Sequence, residues 1–168
     1  MTVRDVLRYP HPFLKQVARP IGEADRELAE RVAADLVDTM KAHQRCVGVS
    51  APQLGELVRM VVVDVTEHPR ATRHHGLLVL VNPEIVLASG AEVAREGCLS
   101  IPDLTANVRR ATEVVIEAST PGGEHRAIEA EGFEARCLQH EIDHLDGLLF
   151  LDRVDSLKAD VFRRRRYQ

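Results

Sequence analysis

The chain has 168 residues, of which 45% are hydrophobic and 29% charged, and this composition excludes disordered, collagen-like and coiled-coil proteins. Aromatic residues make up only 4% of the chain and Trp is absent, so a surface that stacks nucleic-acid bases is not expected. The net charge is −4 although four arginines stand together at 163–166, so the remainder of the chain is acidic. We expect one domain over residues 1–168, with a core of Val, Leu, Ile and Ala.

The three cysteines, Cys46, Cys98 and Cys137, are an odd number, which argues against a disulfide framework and for a reducing compartment. Charged residues occur within the first eight positions, so a signal peptide is not predicted. Apolar runs also stay shorter than the roughly 20 residues that a membrane span needs. We therefore expect a cytoplasmic protein with no membrane partner.

Hydrophobic periodicity predicts the elements of the first half. Apolar residues recur every four positions from Leu28 to Met40, which predicts an amphipathic helix over residues 23–44. Four segments are then predicted as strands, the last two forming a hairpin around Ser89-Gly90. The four are residues 58–65, 77–81 (ended by Asn82-Pro83), 85–87 and 92–94.

The second half predicts a hairpin of two strands, over 112–118 and 125–131, followed by a helix over 132–146. Gly147 stands where helices commonly end. A long helix, several strands and a second helix, in this order, predict an α+β fold. In this fold we expect antiparallel sheets to pack around a central helix.

The strongest chemical signal is the motif H-E-x-x-H at residues 140–144. His140 and His144 are one turn apart on the predicted helix, so both imidazoles project from one face and can bind one metal ion. Glu141 lies beside them and can exchange a proton with a water molecule and a leaving group. The motif therefore predicts a hydrolytic metal site on this helix.

A site of this kind needs a third protein ligand, and the sequence offers several candidates. The histidine that extends the motif in one protease class is replaced here by Phe150, so that class is not indicated. Cys98 follows a glycine, at the end of a predicted strand and before a loop that opens with Pro102, and it is the favoured ligand. Cys137 and Cys46 are the alternatives.

Residues 46–53 form a third segment of interest, because small residues let a backbone approach a ligand closely. Gln53, at its end, offers a neutral amide that can donate a hydrogen bond to a developing oxyanion. Taken alone, the segment is also compatible with a simple turn between a helix and a strand.

Together the three segments resemble the peptide deformylase family. That family is marked by a glycine-rich segment that ends in Gln, by the pentapeptide EGCLS, and by QHExDH. This chain has Gln53, then Glu96–Ser100, then Gln139–His144, in the same order. The resemblance covers nearly the whole chain, and it implies the antiparallel sheets and central metal-binding helix of that family.

The resemblance also implies a role for each matching residue. Cys98, His140 and His144 would hold the metal, and Glu141 would be the general base and acid. The Gln53 side chain and the Leu99 backbone N–H would bind the oxyanion. Around the substrate, the resemblance implies that Gly48 contacts the peptide backbone and that four further residues lie close to the substrate: Val47, Glu96, Phe133 and Cys137. It also implies that Glu96, Gln139 and Asp143 support the metal ligands.

The implied reaction removes the formyl group from the N-terminal formyl-methionine of newly synthesised polypeptides and releases formate. The family commonly uses Fe(II), and Zn(II), Ni(II) or Co(II) can take its place. The donor set alone does not choose between iron and zinc. The implied partner is the formyl-methionyl nascent peptide.

Two positions depart from the family pattern. Cys46 stands where the family usually has glycine, and Ser50 stands where alanine is more usual. Both residues are small, so we expect them to change the shape of the pocket and not the chemistry.

The arginines at 163–166 are predicted at the end of a final helix that begins after Asp155 or Ser156. Two interpretations of these arginines are open. They can be a solvated helix end, or they can dock to RNA or another anionic partner, of which the ribosome is the implied one. Sequence-specific nucleic-acid binding is not expected.

Three other functional classes are alternatives. An H-E-x-x-H endopeptidase is disfavoured by the intact segment Glu96–Ser100. A deformylase-like protein that binds a metal or the ribosome without turnover is disfavoured by the presence of Glu141, Gln53 and Leu99. A structural metal protein would need a fourth protein ligand, which the sequence does not offer.

Overall fold

A computed structural model describes residues 2–164, in which eight strands form two antiparallel sheets around a buried helix. The five-stranded sheet has the order β1-β2-β3-β6-β7, and the three-stranded sheet has the order β4-β5-β8. The predicted α+β class is therefore confirmed. The elements are α1 (Arg26–Ala42), β1 (Gly48–Ser50), β2 (Met60–Val63), β3 (Leu78–Ser89), β4 (Glu92–Cys98), β5 (Ile101–Arg110), β6 (Glu113–Ser119), β7 (His125–Glu131), α2 (Gly132–Leu145) and β8 (Val161–Arg163).

Strand β2 is buried on both faces, which explains its unbroken run of apolar residues. Val61 and Val63 belong to the core that contains Leu138 of α2. Met60 and Val62 face the other way and belong to the core that contains Leu36 of α1. The five-stranded sheet therefore lies between the two helices, and the amphipathic helix and the buried strand that the sequence predicts are both present.

Helix α2 occupies nearly the predicted range and ends before Gly147, which has a φ of 74°. A Cβ atom at Gly147 would lie 2.7 Å from the backbone carbonyl of Lys15, so a larger residue does not fit there. The predicted hairpin of the second half is also confirmed, since β6 pairs with β7 from Glu113↔Glu131 to Ser119↔His125.

The prediction that Asn82-Pro83 ends a strand is wrong. Strand β3 continues through this pair with a shift in register, and Asn82 adopts a φ of 51° at the irregularity. The Asn82 side chain accepts a hydrogen bond from the backbone N of Ile21 at 2.8 Å and donates one to its backbone O at 2.8 Å. These contacts with a distant segment hold the bulge, so Pro83 stays within the strand.

The predicted hairpin around Ser89-Gly90 is wrong as well. Strand β3 pairs with β6, whereas β4 pairs with β5, so the chain passes from one sheet to the other at this turn. The loop predicted at Pro102 is instead part of β5, and only two residues separate β4 from β5. This short connection is what brings Cys98 opposite Ile101.

The predicted final helix is not found in the part of the chain that the structure describes. A turn in which the backbone N of Asp160 donates to the backbone O of Ser156 leads into β8, which pairs with β5. The guanidinium of Arg95 lies over the ring of Phe162 in β8, with 3.8 Å between Cζ of Arg95 and the ring centroid. Pairing with an open sheet edge outweighs the local helix signal, and Arg165 and Arg166 lie outside the described residues.

Between residues 2 and 164, helices are too short or too polar to cross a membrane.

Replacing Asn82 with Ala tests the bulge. The change removes two hydrogen bonds and puts a residue that disfavours positive φ at this position, so we expect the free energy of unfolding to fall by about 2 kcal/mol. Urea unfolding followed by circular dichroism measures the loss. Glu84→Ala, at an exposed position of the same strand, is the control and should change stability by less than about 0.5 kcal/mol. Equal losses in the two variants would contradict this role of Asn82.

Candidate metal centre

Helix α2 places His140 and His144 one turn apart on the same buried face. The centroids of the two imidazole rings are 5.1 Å apart, and the rings are nearly perpendicular. The apolar side of the helix packs on the five-stranded sheet through residues such as Leu138 and Ile142. The two histidines therefore face the remaining side, where β4 approaches.

The turn after β4 brings Cys98 to the two histidines. Its Sγ lies 3.4 Å from Nε2 of His144, and the ligand atoms of Cys98, His140 and His144 all lie within 4.8 Å of one another. Among residues 2–164, this is the only group of three or more His, Cys, Asp or Glu side chains that is arranged to hold a metal ion. Cys98, which the sequence analysis favours as the third metal ligand, therefore lies beside the two histidines.

The other two cysteines lie outside this group. Burial raises the pKa of Cys46 to about 12, and its thiol donates to the carbonyl oxygen of Gly48 at 3.3 Å. Burial, with a smaller effect from Glu141, also raises the pKa of Cys137 well above its usual value. Both side chains remain neutral thiols, which are poor metal ligands.

The protonation of the two histidines bears on metal binding. Burial lowers the pKa of His144 well below its usual value, so this imidazole is neutral, as a ligand must be. Burial also lowers the pKa of His140, but hydrogen bonds with Cys98 and Glu96 outweigh it and raise this pKa well above the usual value. A proton therefore competes with a metal ion at His140.

The donor set fits a divalent transition metal. One thiol and two imidazoles are ligands that suit zinc and iron. Nδ1 of His140 contacts Oε1 of Glu96 at 2.8 Å, which leaves Nε2 directed to the common centre. Oε2 of Glu141 is buried without a hydrogen-bond partner among the described residues, as expected beside a site that binds an ion and water.

The carboxylate of Glu96 is the hub of a buried network. It accepts hydrogen bonds from Nε of Arg110 at 2.9 Å, from Nη2 of Arg110 at 3.0 Å and from Nη1 of Arg136 at 2.6 Å. Burial opposes its ionisation, but His140 and Arg110 hold the pKa of Glu96 well below its usual range. Glu96 is therefore a fixed anion that orients His140.

The other polar residues of the helix motif connect α2 to its surroundings. Asp143 accepts hydrogen bonds from Arg110 at 2.5 Å and from Arg153 at 2.8 Å. The amide of Gln139 accepts from the backbone N of Ala111 at 3.0 Å and donates to its backbone O at 2.9 Å. The bonds with Arg110 and Ala111 attach α2 to the end of β5, and the bond with Arg153 attaches it to the turn that follows the helix.

Gln53 is held in one orientation beside Cys98. Its Oε1 accepts from the backbone N and from the Oγ of Ser50, both at 2.9 Å. Its Nε2 consequently points away from Ser50 and donates to Oγ of Ser100 at 3.0 Å, with Sγ of Cys98 at 3.5 Å. The Ser50 hydroxyl, which the sequence marks only as a departure, thus helps to orient the amide.

Glu141 is buried against Gly48 of β1. A Cβ atom at Gly48 would lie 2.9 Å from Cγ of Glu141 and 3.0 Å from its Oε1, so only glycine leaves room for this side chain. Oε1 of Glu141 is 3.9 Å from Nε2 of His140, on the side of the metal ligands. Burial, together with the charge of Glu96, raises the pKa of Glu141 to about 7.

Val47, Phe133 and Cys137 all pack in or against the core that contains α2. Phe133 and Cys137 are one helical turn apart, and Val47 directly precedes β1. The backbone of Leu99 lies in the turn between β4 and β5, next to Cys98. The predicted site residues are thus contributed by the segment around β1, the β4–β5 turn and α2.

A cavity of about 480 Å³ lies elsewhere, against β6, β7 and residues 73–75, and it is not lined by Cys98, His140 or His144. Its lining includes the exposed Glu113 and Glu129 and the buried Glu134, and it lacks a cysteine. The Cys-His-His group is therefore the candidate site, and it lies apart from this cavity.

Comparison with known proteins agrees with this geometry. The family model described as polypeptide deformylase matches residues 3–160. The peptide deformylase of Thermodesulfovibrio yellowstonii is 38% identical over 165 residues, covering 98% of this chain and 97% of the relative. That of Alkalilimnicola ehrlichii is 42% identical over 165 residues, covering 98% and 89%.

Solved structures give the same result. The Met-Ala-Ser-bound class I type b peptide deformylase of Acinetobacter baumannii superposes with a TM-score of 0.84 at 33% identity, over 91% of this chain and 100% of that one. The peptide deformylase of Thermotoga maritima superposes with a TM-score of 0.82 at 32% identity, over 93% and 100%.

Glu96→Gln tests the hub. The amide cannot accept from two arginines and His140 as a carboxylate does, so we expect metal affinity to fall about 10- to 100-fold. Metal content after equilibration against buffered Zn(II) solutions measures the affinity. Glu92→Gln, an exposed side chain on the same strand, should leave the affinity unchanged. An unchanged affinity in Glu96→Gln would remove Glu96 from the account of metal binding.

Proposed function

The chain belongs to the polypeptide deformylase family, metal-dependent hydrolases that remove the formyl group from nascent peptides, and we propose that Cys98, His140 and His144 hold its metal ion. The observation that carries the proposal is the approach of these three ligand atoms to within 4.8 Å of one another, with the Glu141 carboxylate beside them. We further propose Fe(II) as the native ion, with Zn(II), Ni(II) or Co(II) able to substitute. The thiol and two imidazoles suit each of these metals, and the preference for iron follows the family.

The bound metal supplies Lewis acidity, which makes water acidic near neutral pH and attracts electrons from a carbonyl oxygen. Glu141 supplies the proton transfers. Its carboxylate takes a proton from the water that attacks the formyl carbon, and it gives a proton to the amine nitrogen as the C–N bond breaks. The products are formate and a free N-terminal amine. Because burial raises the pKa of Glu141, its carboxylate binds a proton more readily than an exposed one does, which favours the role of proton carrier between water and amine.

The side-chain amide of Gln53 and the backbone N–H of Leu99 stabilise the negative charge that develops on the formyl oxygen. The two bonds from Ser50 support this role, because they orient the Gln53 amide before substrate arrives. A donor that is already oriented does not have to reorganise as the charge forms.

The peptide backbone contacts Gly48, and the methionine side chain contacts Val47, Phe133 and Cys137. Strand β1 is at the edge of its sheet, so an extended peptide can add to it. The Acinetobacter baumannii relative bound to Met-Ala-Ser supports a peptide that begins with methionine. Glu96, whose carboxylate is engaged by two arginines and His140, acts on the substrate only through His140.

The proposed residues come from three segments that span most of the chain, so residues 1–168 act as one catalytic domain. The substrate is a nascent peptide, and the enzyme therefore works in the cytoplasm, where translation occurs.

Glu141→Gln tests the assignment. The amide keeps the size of the side chain but cannot accept a proton, so we expect the variant to retain the metal and to lose at least about 100-fold in kcat. Formate release from formyl-Met-Ala-Ser is measured with anaerobically purified protein of known metal content. Glu67→Gln, at an exposed position, is the control and should match the wild type. Full turnover by Glu141→Gln would exclude the proposed role, and cleavage of internal peptide bonds by the wild type would favour an endopeptidase.

We also propose that the arginines at 163–166 contact the ribosome. Arg163 is exposed in β8, and a run of four cations attracts the phosphates of RNA. Replacing all four with Ser should weaken co-sedimentation with ribosomes, most at low salt, and leave formate release from short peptides unchanged. Arg26→Ser, an exposed arginine on α1, controls for the loss of positive charge. Unaltered co-sedimentation of the quadruple variant would refute this contact.

A further inference from the structure

The segment between β2 and β3, residues 64–77, is attached to the beginning of α2 by two histidines. The backbone N of His75 donates to Oε2 of Glu134 at 2.8 Å, and Nδ1 of His75 contacts Oε1 of the same carboxylate at 2.6 Å. Glu134 is only 1% exposed, whereas the His75 side chain is 36% exposed, so the carboxylate end of this bidentate contact is buried and the imidazole end is partly open to water. We call residues 64–77 the β2–β3 loop.

A second contact is made one residue earlier on α2. The imidazole of His68 is stacked on the ring of Phe133, with 3.9 Å between the ring centroids and 16° between the planes. Nδ1 of His68 accepts a hydrogen bond from the backbone N of Arg70 at 3.1 Å, which fixes the direction of the imidazole. Burial and the nearby Arg70 lower the pKa of His68, so the stacked ring is neutral at pH 7.

The two contacts together restrict Phe133. The His75–Glu134 contact holds one end of the β2–β3 loop to α2, and the His68 ring of the same loop lies on Phe133. Phe133 is one turn before Cys137 and packs against the same core as Val47. A ring held on one face by a second aromatic ring has fewer orientations open to it, and a pocket with a preformed wall binds its ligand more tightly.

We propose that His68 is a positioning residue for recognition of the substrate's methionine side chain, acting through Phe133. The proposal rests on the function proposed above, in which Phe133 lines the methionine pocket. His68 takes no part in the proton transfers, so it affects substrate binding and the discrimination between side chains, and not the chemical step.

The test compares His68→Ala with His68→Phe, which retains an aromatic ring at this position. KM and kcat are measured by formate release from formyl-Met-Ala-Ser and from formyl-Ala-Ala-Ser, in which the first side chain is too short to reach a preformed wall. Glu67→Ala, at the exposed neighbouring position, is the matched control. Thermal unfolding and metal content are recorded for each variant.

We expect His68→Ala to raise KM for the methionine peptide about three- to tenfold, with kcat within about twofold of the wild type. KM for the alanine peptide should change little, so the ratio of kcat/KM for the methionine peptide to that for the alanine peptide should fall. His68→Phe should restore most of this ratio. An unchanged KM in His68→Ala would overturn the proposal, as would equal losses for the two peptides. If His68→Ala does not fold, His68→Phe is compared with the wild type instead. Because His68→Phe keeps an aromatic ring on Phe133, loss of the preference for the methionine peptide in this variant would exclude positioning by ring stacking.

Failure of the proposed function gives a different result. In that case the wild type itself, loaded with metal, releases no formate from either peptide. A wild type that is active and a His68→Ala variant that cannot be distinguished from it contradict only the role of His68.

Discussion

The hydrogen bond between Glu96 and His140 joins the two parts of the molecule that build the metal centre. Glu96 lies on β4, in the three-stranded sheet, and His140 lies on α2, which packs on the five-stranded sheet. The register of β4 shifts between Gly97 and Cys98, yet Glu96 and Cys98 are both buried on either side of the exposed Gly97, and they contact His140 and His144 respectively. Residues four apart on a helix share a face, so Arg136, His140 and His144 point toward them. One face of a strand and one face of a helix thus supply the three candidate metal ligands and their main support.

This arrangement depends on charge balance in a buried place. Arg110 and Arg136 bring two positive charges against the carboxylates of Glu96 and Asp143. Burial of so many charges costs desolvation energy, and apolar residues of similar size often stabilise a fold better. The network is therefore better explained by its orientation of His140 than by a contribution to the free energy of unfolding. Each charge is also bonded in more than one direction, and the orientation of His140 is fixed before a metal binds.

Local signals are sufficient to predict much of this architecture from the sequence. Helix α2, the pair of histidines on it and the β6–β7 hairpin are predicted from local sequence alone, without reference to distant residues. Strand β3 could not be predicted in full, because its passage through Asn82 depends on a contact with Ile21, 61 positions earlier. Strand β8 likewise exists because β5 offers it an open edge. At the site, Cys98 is predicted from its motif, whereas the arginines around Glu96 and the Ser50 hydroxyl are recognised only when distant segments come together.

We propose that Cys98, His140 and His144 together bind one catalytic metal ion. X-ray absorption spectroscopy of the enzyme loaded with one equivalent of Co(II) tests it most directly, since scattering by sulfur and by imidazole can be distinguished. We expect one sulfur and two imidazole nitrogens around the metal, with loss of the sulfur signal in Cys98→Ser. A metal environment without sulfur, or one that is the same in Cys98→Ser as in the wild type, would contradict it.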